Sequence, residues 1–239
     1  MTAKISLQKQ DKETKKAVPQ GDATLEKAVY GYIAREDIVH PDGATGVIYE
    51  AGEQVATLTT DKNGQASVDG LYLGNYYVKE ITPPTGYLAD EEEHDLVCNY
   101  EGDFVAEVKR DCLSLEQVMK QPFEIIKAAN NGKTDADLLK GAGFTAYLVS
   151  SLTVKEDGSY DFGSAKPVVI GENGATEIFT DEKGYARSIA IPYGTYIVRE
   201  TTTPHNYTPV NDFIVQIQRI IRLHRRYGGC CLTKSLKRS

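Results

Sequence analysis

The sequence contains no tryptophan, only two methionines and only four cysteines among its 239 residues. It also lacks any run of about 18 apolar residues and any charged-then-apolar amino terminus, so no membrane-spanning helix and no signal peptide is expected in it. As it stands the chain reads as soluble, and a location outside the cell would make it part of a longer protein. Cys98, Cys112, Cys230 and Cys231 form no C-x-x-C pair and have no histidine at metal-ligand spacing, so no zinc site is expected. Cys98 and Cys112 read either as free buried thiols or as a bridge between neighbouring strands. Adjacent Cys230 and Cys231 follow no apolar segment of the kind that acylation at a membrane would use.

Basic charge is scarce outside one end. Residues 219–239 hold seven of the 27 Lys and Arg and no acid, which leaves 20 basic against 34 acidic side chains in the rest. An acidic body gives no electrostatic footprint for nucleic acid and repels anionic membranes. Catalytic signatures are missing too. His40, His94, His205 and His224 are scattered in loops or the tail, and no G-x-S-x-G, H-E-x-x-H or glycine-rich phosphate loop occurs. No enzyme activity, cofactor or metal is therefore expected, and the acidic run Asp90 to Glu93 reads as a solvated turn.

What is present is a repeat. Asp61, Gly64, Gly74, Tyr76, Val78, Glu80, Pro84 and Tyr87 recur 120 residues later as Asp181, Gly184, Gly194, Tyr196, Val198, Glu200, Pro204 and Tyr207. That period is too long for a solenoid unit and fits two similar domains in tandem. Upstream, ISLQK at 5–9 matches FEIIK at 123–127, and the alternating segments KAVYGYIA at 27–34 and AGFTAYLV at 142–149 follow. Short β-favouring runs are separated by turns such as DKNG at 61–64, DEKG at 181–184 and PPTG at 83–86. The only competing helical pattern is weak, around SLEQVMKQ at 114–121. The fold expected is all-β, two tandem sandwiches at 1–120 and 121–218 followed by a basic tail at 219–239.

Strand parity then raises a problem. Side chains two apart share a face, so if Tyr76 and Val78 point inward, Glu80 does too; Glu200 follows Tyr196 and Val198 in the same way. Lys9 follows Ile5 and Leu7, and Lys127 follows Phe123 and Ile125. A single such charge would be read as a strand end reaching water, because lysine stems snorkel. The same two placements in both copies point instead to one lysine and one glutamate in each core.

Alternation ending in K, then G-A-x-F, T-D-x-x-G, G-x-Y-x-V-x-E and P-x-x-Y, resembles the SpaA/Cna B-type prealbumin-like domains of Gram-positive surface proteins and pilins, over roughly residues 3–217. The resemblance implies transthyretin-like sandwiches used as stalk or adhesin modules. It also implies that an inward lysine, Lys9 or Lys127, bonds to an Asn or Asp of the last strand with help from an inward acid, Glu80 or Glu200. Burial suits that chemistry, since it drives lysine towards a neutral amine and glutamate towards the neutral acid. Closing a loop of this size would add about 4 to 5 kcal/mol by the chain-entropy argument.

The acceptor departs from the family pattern. The last strand of the first copy, within 104–118, contains no Asn; Asp111, Glu116 and Gln117 are the side-chain carbonyls near its end. Asn99 and Asn211 have a suitable parity but fall one strand early, and the segment that should supply the final strand of the second copy is replaced by the basic tail. The second sandwich is therefore expected to be incomplete and free of a cross-link. The implied partners are neighbouring domains of a longer surface protein and a host matrix protein or glycan. The implied location is the cell wall or cell surface. A carbohydrate- or protein-binding module presenting ligand loops is the alternative function.

Overall fold

The computed structural model describes residues 1–129 and 137–219. The chain divides into two compact units, Met1–Val118 and Met119–Ser239. Apart from Arg219, the basic tail and its two cysteines lie outside the described residues, as does any strand the tail would supply.

In the first unit, β1 (Thr2–Asp11) lies between β4 (Gln65–Leu71) and β7 (Glu107–Glu116), while β2 (Val29–Ala34), β3 (Gln54–Thr59), β5 (Gly74–Thr82) and β6 (Glu93–Cys98) form a second sheet in the order β3-β2-β5-β6. Period-2 alternation builds the core: Ala3, Ile5, Leu7, Lys9 and Asp11 of β1 are all buried, with the intervening residues only partly covered. Tyr30, Tyr32, Leu58, Tyr76, Val78 and Leu96 face them from the other sheet. The rings of Tyr32 and Tyr76 stack at 4.5 Å. Cys98 and Cys112 are buried free thiols in this core, which settles the open reading against a bridge.

The second unit repeats the plan, with its two central strands of equal length and the others shorter. Here β8 (Glu124–Ile126) pairs with β11 (Tyr185–Arg187), and the four-stranded sheet runs β10 (Glu177–Phe179), β9 (Gly143–Leu148), β12 (Gly194–Thr202), β13 (Phe213–Ile217). Phe123, Ile125, Phe144, Ile178, Tyr196, Val198 and Ile217 form its core. Among the described residues β8 has β11 as its one ladder partner, whereas β1 has two. Repeated residues make repeated bonds: Tyr76 donates to the Tyr72 carbonyl at 2.7 Å and Tyr196 to the Pro192 carbonyl at 2.8 Å.

At two places the structure differs from the expectation. The 114–121 segment is not helical, because Ser114–Glu116 completes β7, Val118 bridges Tyr87, and Lys120–Gln121 pairs with Ile191–Pro192. His94 lies within β6 rather than in a loop.

The D-x-x-G turns hold the backbone of the two buried lysines. Asp61 Oδ1 accepts the amides of Asn63 and Gln65, Gly64 sits at φ +73°, and its carbonyl accepts the Lys9 amide at 2.8 Å. Asp181 and Gly184 do the same beside Lys127. A Cβ on Gly64 would stand 2.9 Å from the Lys9 carbonyl oxygen in a left-handed conformation. Gly64→Ala is therefore expected to destabilise the first sandwich by about 1 to 3 kcal/mol in denaturant titration.

Candidate functional site

Lys9 ends the apolar stripe of β1 and is fully buried, and three strands deliver its neighbours. The parallel β1–β7 ladder sets Lys9 opposite Ser114 and Asp11 opposite Glu116, so Glu116 reaches the same interior face. In the other sheet Tyr30 of β2 is paired with Glu80 of β5, just past a bulge between Val29 and Tyr30. Lys9 Nζ donates to Glu80 Oε1 at 2.9 Å and to the Tyr30 hydroxyl at 3.0 Å. Its tightest ion pair is with Glu116 Oε1. Tyr30 donates to that same oxygen at 2.6 Å, and Ser114 Oγ lies 3.0 Å from the Tyr30 hydroxyl. The Asp90 amide holds Glu80 Oε2 at 2.8 Å. Glu116 Oε2 is buried and, among the described residues, accepts no hydrogen bond.

Electrostatics follow from burial. Desolvation lowers the Lys9 amine to about 8, against the raising influence of Glu80 and Asp90. Burial pushes the Tyr30 phenol far above its ordinary value, so it remains a protonated donor. The carboxylate of Asp11, two residues beyond Lys9, is separately satisfied by the amides of Glu13 and Thr14, by Gln20 and by the Tyr87 hydroxyl.

The second unit assembles a smaller set. Lys127 Nζ meets Glu200 Oε2 at 2.7 Å, with side-chain exposures of 4% and 0%. The Val210 amide holds the same oxygen at 2.8 Å, as Asp90 holds Glu80. Phe144 occupies the position opposite Glu200 that Tyr30 occupies opposite Glu80, so the hydroxyl is gone. Glu200 Oε1 is buried without a hydrogen-bond partner among the described residues. Tyr207, the repeat of Tyr87, is 43% exposed, and Ala129 stands where the 118-residue offset of the lysines would put a counterpart of Asp11.

Of the residues singled out from sequence, Lys9, Glu80 and Glu116 come together, and Lys127 meets Glu200. Asn99 and Asn211 do not join either cluster: Asn99 follows the end of β6 and Asn211 precedes β13, and both are exposed to solvent. Their parity was suitable, but each lies outside the ladder that places residues opposite the lysine. Tyr30 and Ser114 were missed as members of the site. Tyr30 carried a signal in its inward parity, whereas Ser114 becomes visible only through the β1–β7 register.

None of the described residues forms a group of three or more His, Cys, Asp and Glu suited to a metal ion. No helix among them is long and apolar enough to cross a membrane.

A comparison with curated proteins finds no match. Among solved structures, the Bacillus anthracis TIE protein is similar at 22% identity with a TM-score of 0.55, over 91% of this chain and 31% of that one. A streptococcal ancillary pilin aligns at 22% identity and TM-score 0.33 over 92% of this chain and 60% of its own. The shaft pilin SpaA of Lactobacillus rhamnosus GG aligns at 17% identity and TM-score 0.34 over 91% and 94%. The chain thus spans about a third to three fifths of the first two structures. The family model for the SpaA prealbumin-like fold domain matches residues 3–111 and again 122–221, covering most of the sequence. The chain belongs to the SpaA prealbumin-like fold family and carries two copies of its domain.

Proposed function

We propose that this chain is a tension-carrying structural module of a Gram-positive cell-surface protein of the pilin type, with its first sandwich locked by an isopeptide bond between Lys9 Nζ and Glu116 Cδ. The observation that carries the reading is the burial of one amine between two carboxyl groups, Glu80 and Glu116, where strands β1 and β7 run parallel. Its partners in this role are the neighbouring domains of a longer surface protein, and the reading involves no catalytic turnover.

The reaction balances as a condensation. One proton passes from the Lys9 ammonium to Glu116 Oε2, leaving a neutral amine and a neutral acid. The Nζ lone pair attacks Cδ, and Glu80 takes a proton from the bonded nitrogen and delivers it to Oε2, which departs as water. An Asn acceptor would release ammonia instead. Folding supplies the effective molarity that an open chain lacks. Because the bond joins the first and last strands, tension applied along the chain passes through it and bypasses the residues between.

Intact mass under reducing, denaturing conditions tests the reading: loss of one water places the protein about 18 Da below its sequence mass, as one condensation requires. The full sequence mass would count against it. The pH dependence is a second expected outcome. In chain isolated unfolded in denaturant, before any bond has formed, and diluted into buffers between about pH 6 and pH 9, bond formation is level up to about pH 8 and slows above it, because the proton that makes Glu116 a neutral acid comes from the Lys9 ammonium and is lost to solvent above that value. Time-resolved mass spectrometry follows it.

A further inference from the structure

Resting on that reading, we propose that Tyr30 is a catalytic residue of the condensation: its hydroxyl is the donor that receives the charge developing on Glu116 Oε1, and it thereby selects Oε2 as the oxygen that leaves. The two carboxyl oxygens of Glu116 are held very differently. Oε1 accepts the Tyr30 hydroxyl at 2.6 Å, has Ser114 Oγ 3.4 Å away and pairs with Lys9, while buried Oε2 accepts no hydrogen bond among the described residues.

When the Lys9 Nζ–Cδ bond forms, the carbonyl π pair moves onto Oε1, and a donor already aimed there stabilises the tetrahedral state without reorganisation. When the pair returns to re-form the carbonyl, the bond that breaks is the one to Oε2. That oxygen leaves as water once Glu80 has returned the proton taken from Nζ. No oxidant or further reactant is needed. Tyr30 keeps its own proton throughout, consistent with a buried phenol that does not ionise in the working range.

The second sandwich provides an internal contrast. Its lysine and inward glutamate are retained, the glutamate is held by an equivalent backbone amide, and the aromatic ring opposite it is Phe144. The hydroxyl is missing where Glu200 has only Lys127 and a backbone amide as described partners. Phe144 also shows that this ring position accepts phenylalanine in the same fold, which makes Tyr30→Phe a mild substitution.

The test uses the full chain, isolated unfolded in denaturant from insoluble expression so that no bond has yet formed, then refolded by dilution, with intact mass followed over time for the unaltered protein, Tyr30→Phe and Ser114→Ala. The expected result is water loss that is slower in Tyr30→Phe by roughly a hundredfold or more, the usual effect of removing one such donor. Ser114→Ala, which removes a neighbour of the phenol, is expected to slow it several-fold and guards against a Tyr30→Phe chain that fails to fold. Circular dichroism verifies the β-sheet content of each. If the unaltered protein loses water and both variants lose it equally fast, the role of Tyr30 is overturned while the cross-link stands. If the unaltered protein never loses water, the cross-link and the role of Tyr30 both fall.

Discussion

Lys9→Met is expected to melt the first sandwich roughly 15 to 30 °C lower than the unaltered chain, from loss of about 4 to 5 kcal/mol of loop-closing stabilisation. Methionine approximates the volume of the lysine stem, so the apolar stripe of Ile5 and Leu7 continues and cavity formation contributes little. The carboxyls are affected more. Glu80 and Glu116 remain buried with no cation between them, and two carboxyl groups confined together cannot both stay ionised, so one takes up a proton. The variant is therefore expected to lose stability further as pH rises, since ionising that acid in the core becomes the price of staying folded. Scanning calorimetry of both proteins at two pH values reads the two effects separately, and a variant melting within a few degrees of the parent would remove the energetic case for a cross-link.

In the second sandwich the largest expected effect comes from breaking its ion pair. Glu200→Ala leaves Lys127 buried without its carboxylate and is expected to destabilise that unit by about 3 to 5 kcal/mol, the usual penalty for an uncompensated charge. The double substitution Lys127→Met with Glu200→Leu removes both charges and restores most of that loss, because a buried pair offsets little beyond its own desolvation. Hydrogen exchange of β12 and β13 amides, which belong to this unit alone, reports the change without interference from the first sandwich. A double variant as unstable as Glu200→Ala would show that the pair contributes more than mutual neutralisation.

The architecture was legible because two signals reinforced each other: the 120-residue repeat fixed the tandem, and period-2 parity placed Lys9, Glu80, Lys127 and Glu200 on interior faces. The third carboxyl was harder to read. Glu116 ends a strand that pairs in parallel with β1, and a parallel register is set by a long crossover rather than by a local turn. Asn99 and Asn211 therefore competed with it on chemistry, although both lie beyond the ends of their strands, exposed to solvent. Tyr30 was recognisable as a core ring, but its hydroxyl reaches Lys9 and Glu116 only past the bulge between Val29 and Tyr30, which parity alone does not reveal. The 114–121 segment looked weakly helical because its local pattern carries no trace of the β1 and Tyr87 pairings that hold it extended.

Peptide mapping of the untreated protein addresses the central claim most directly. Digestion followed by tandem mass spectrometry is predicted to yield a branched peptide in which the segment around Lys9 is joined through its side chain to the segment around Glu116, lighter than the two together by one water. Recovery of both segments only as separate linear peptides, each with its full mass, would contradict the account.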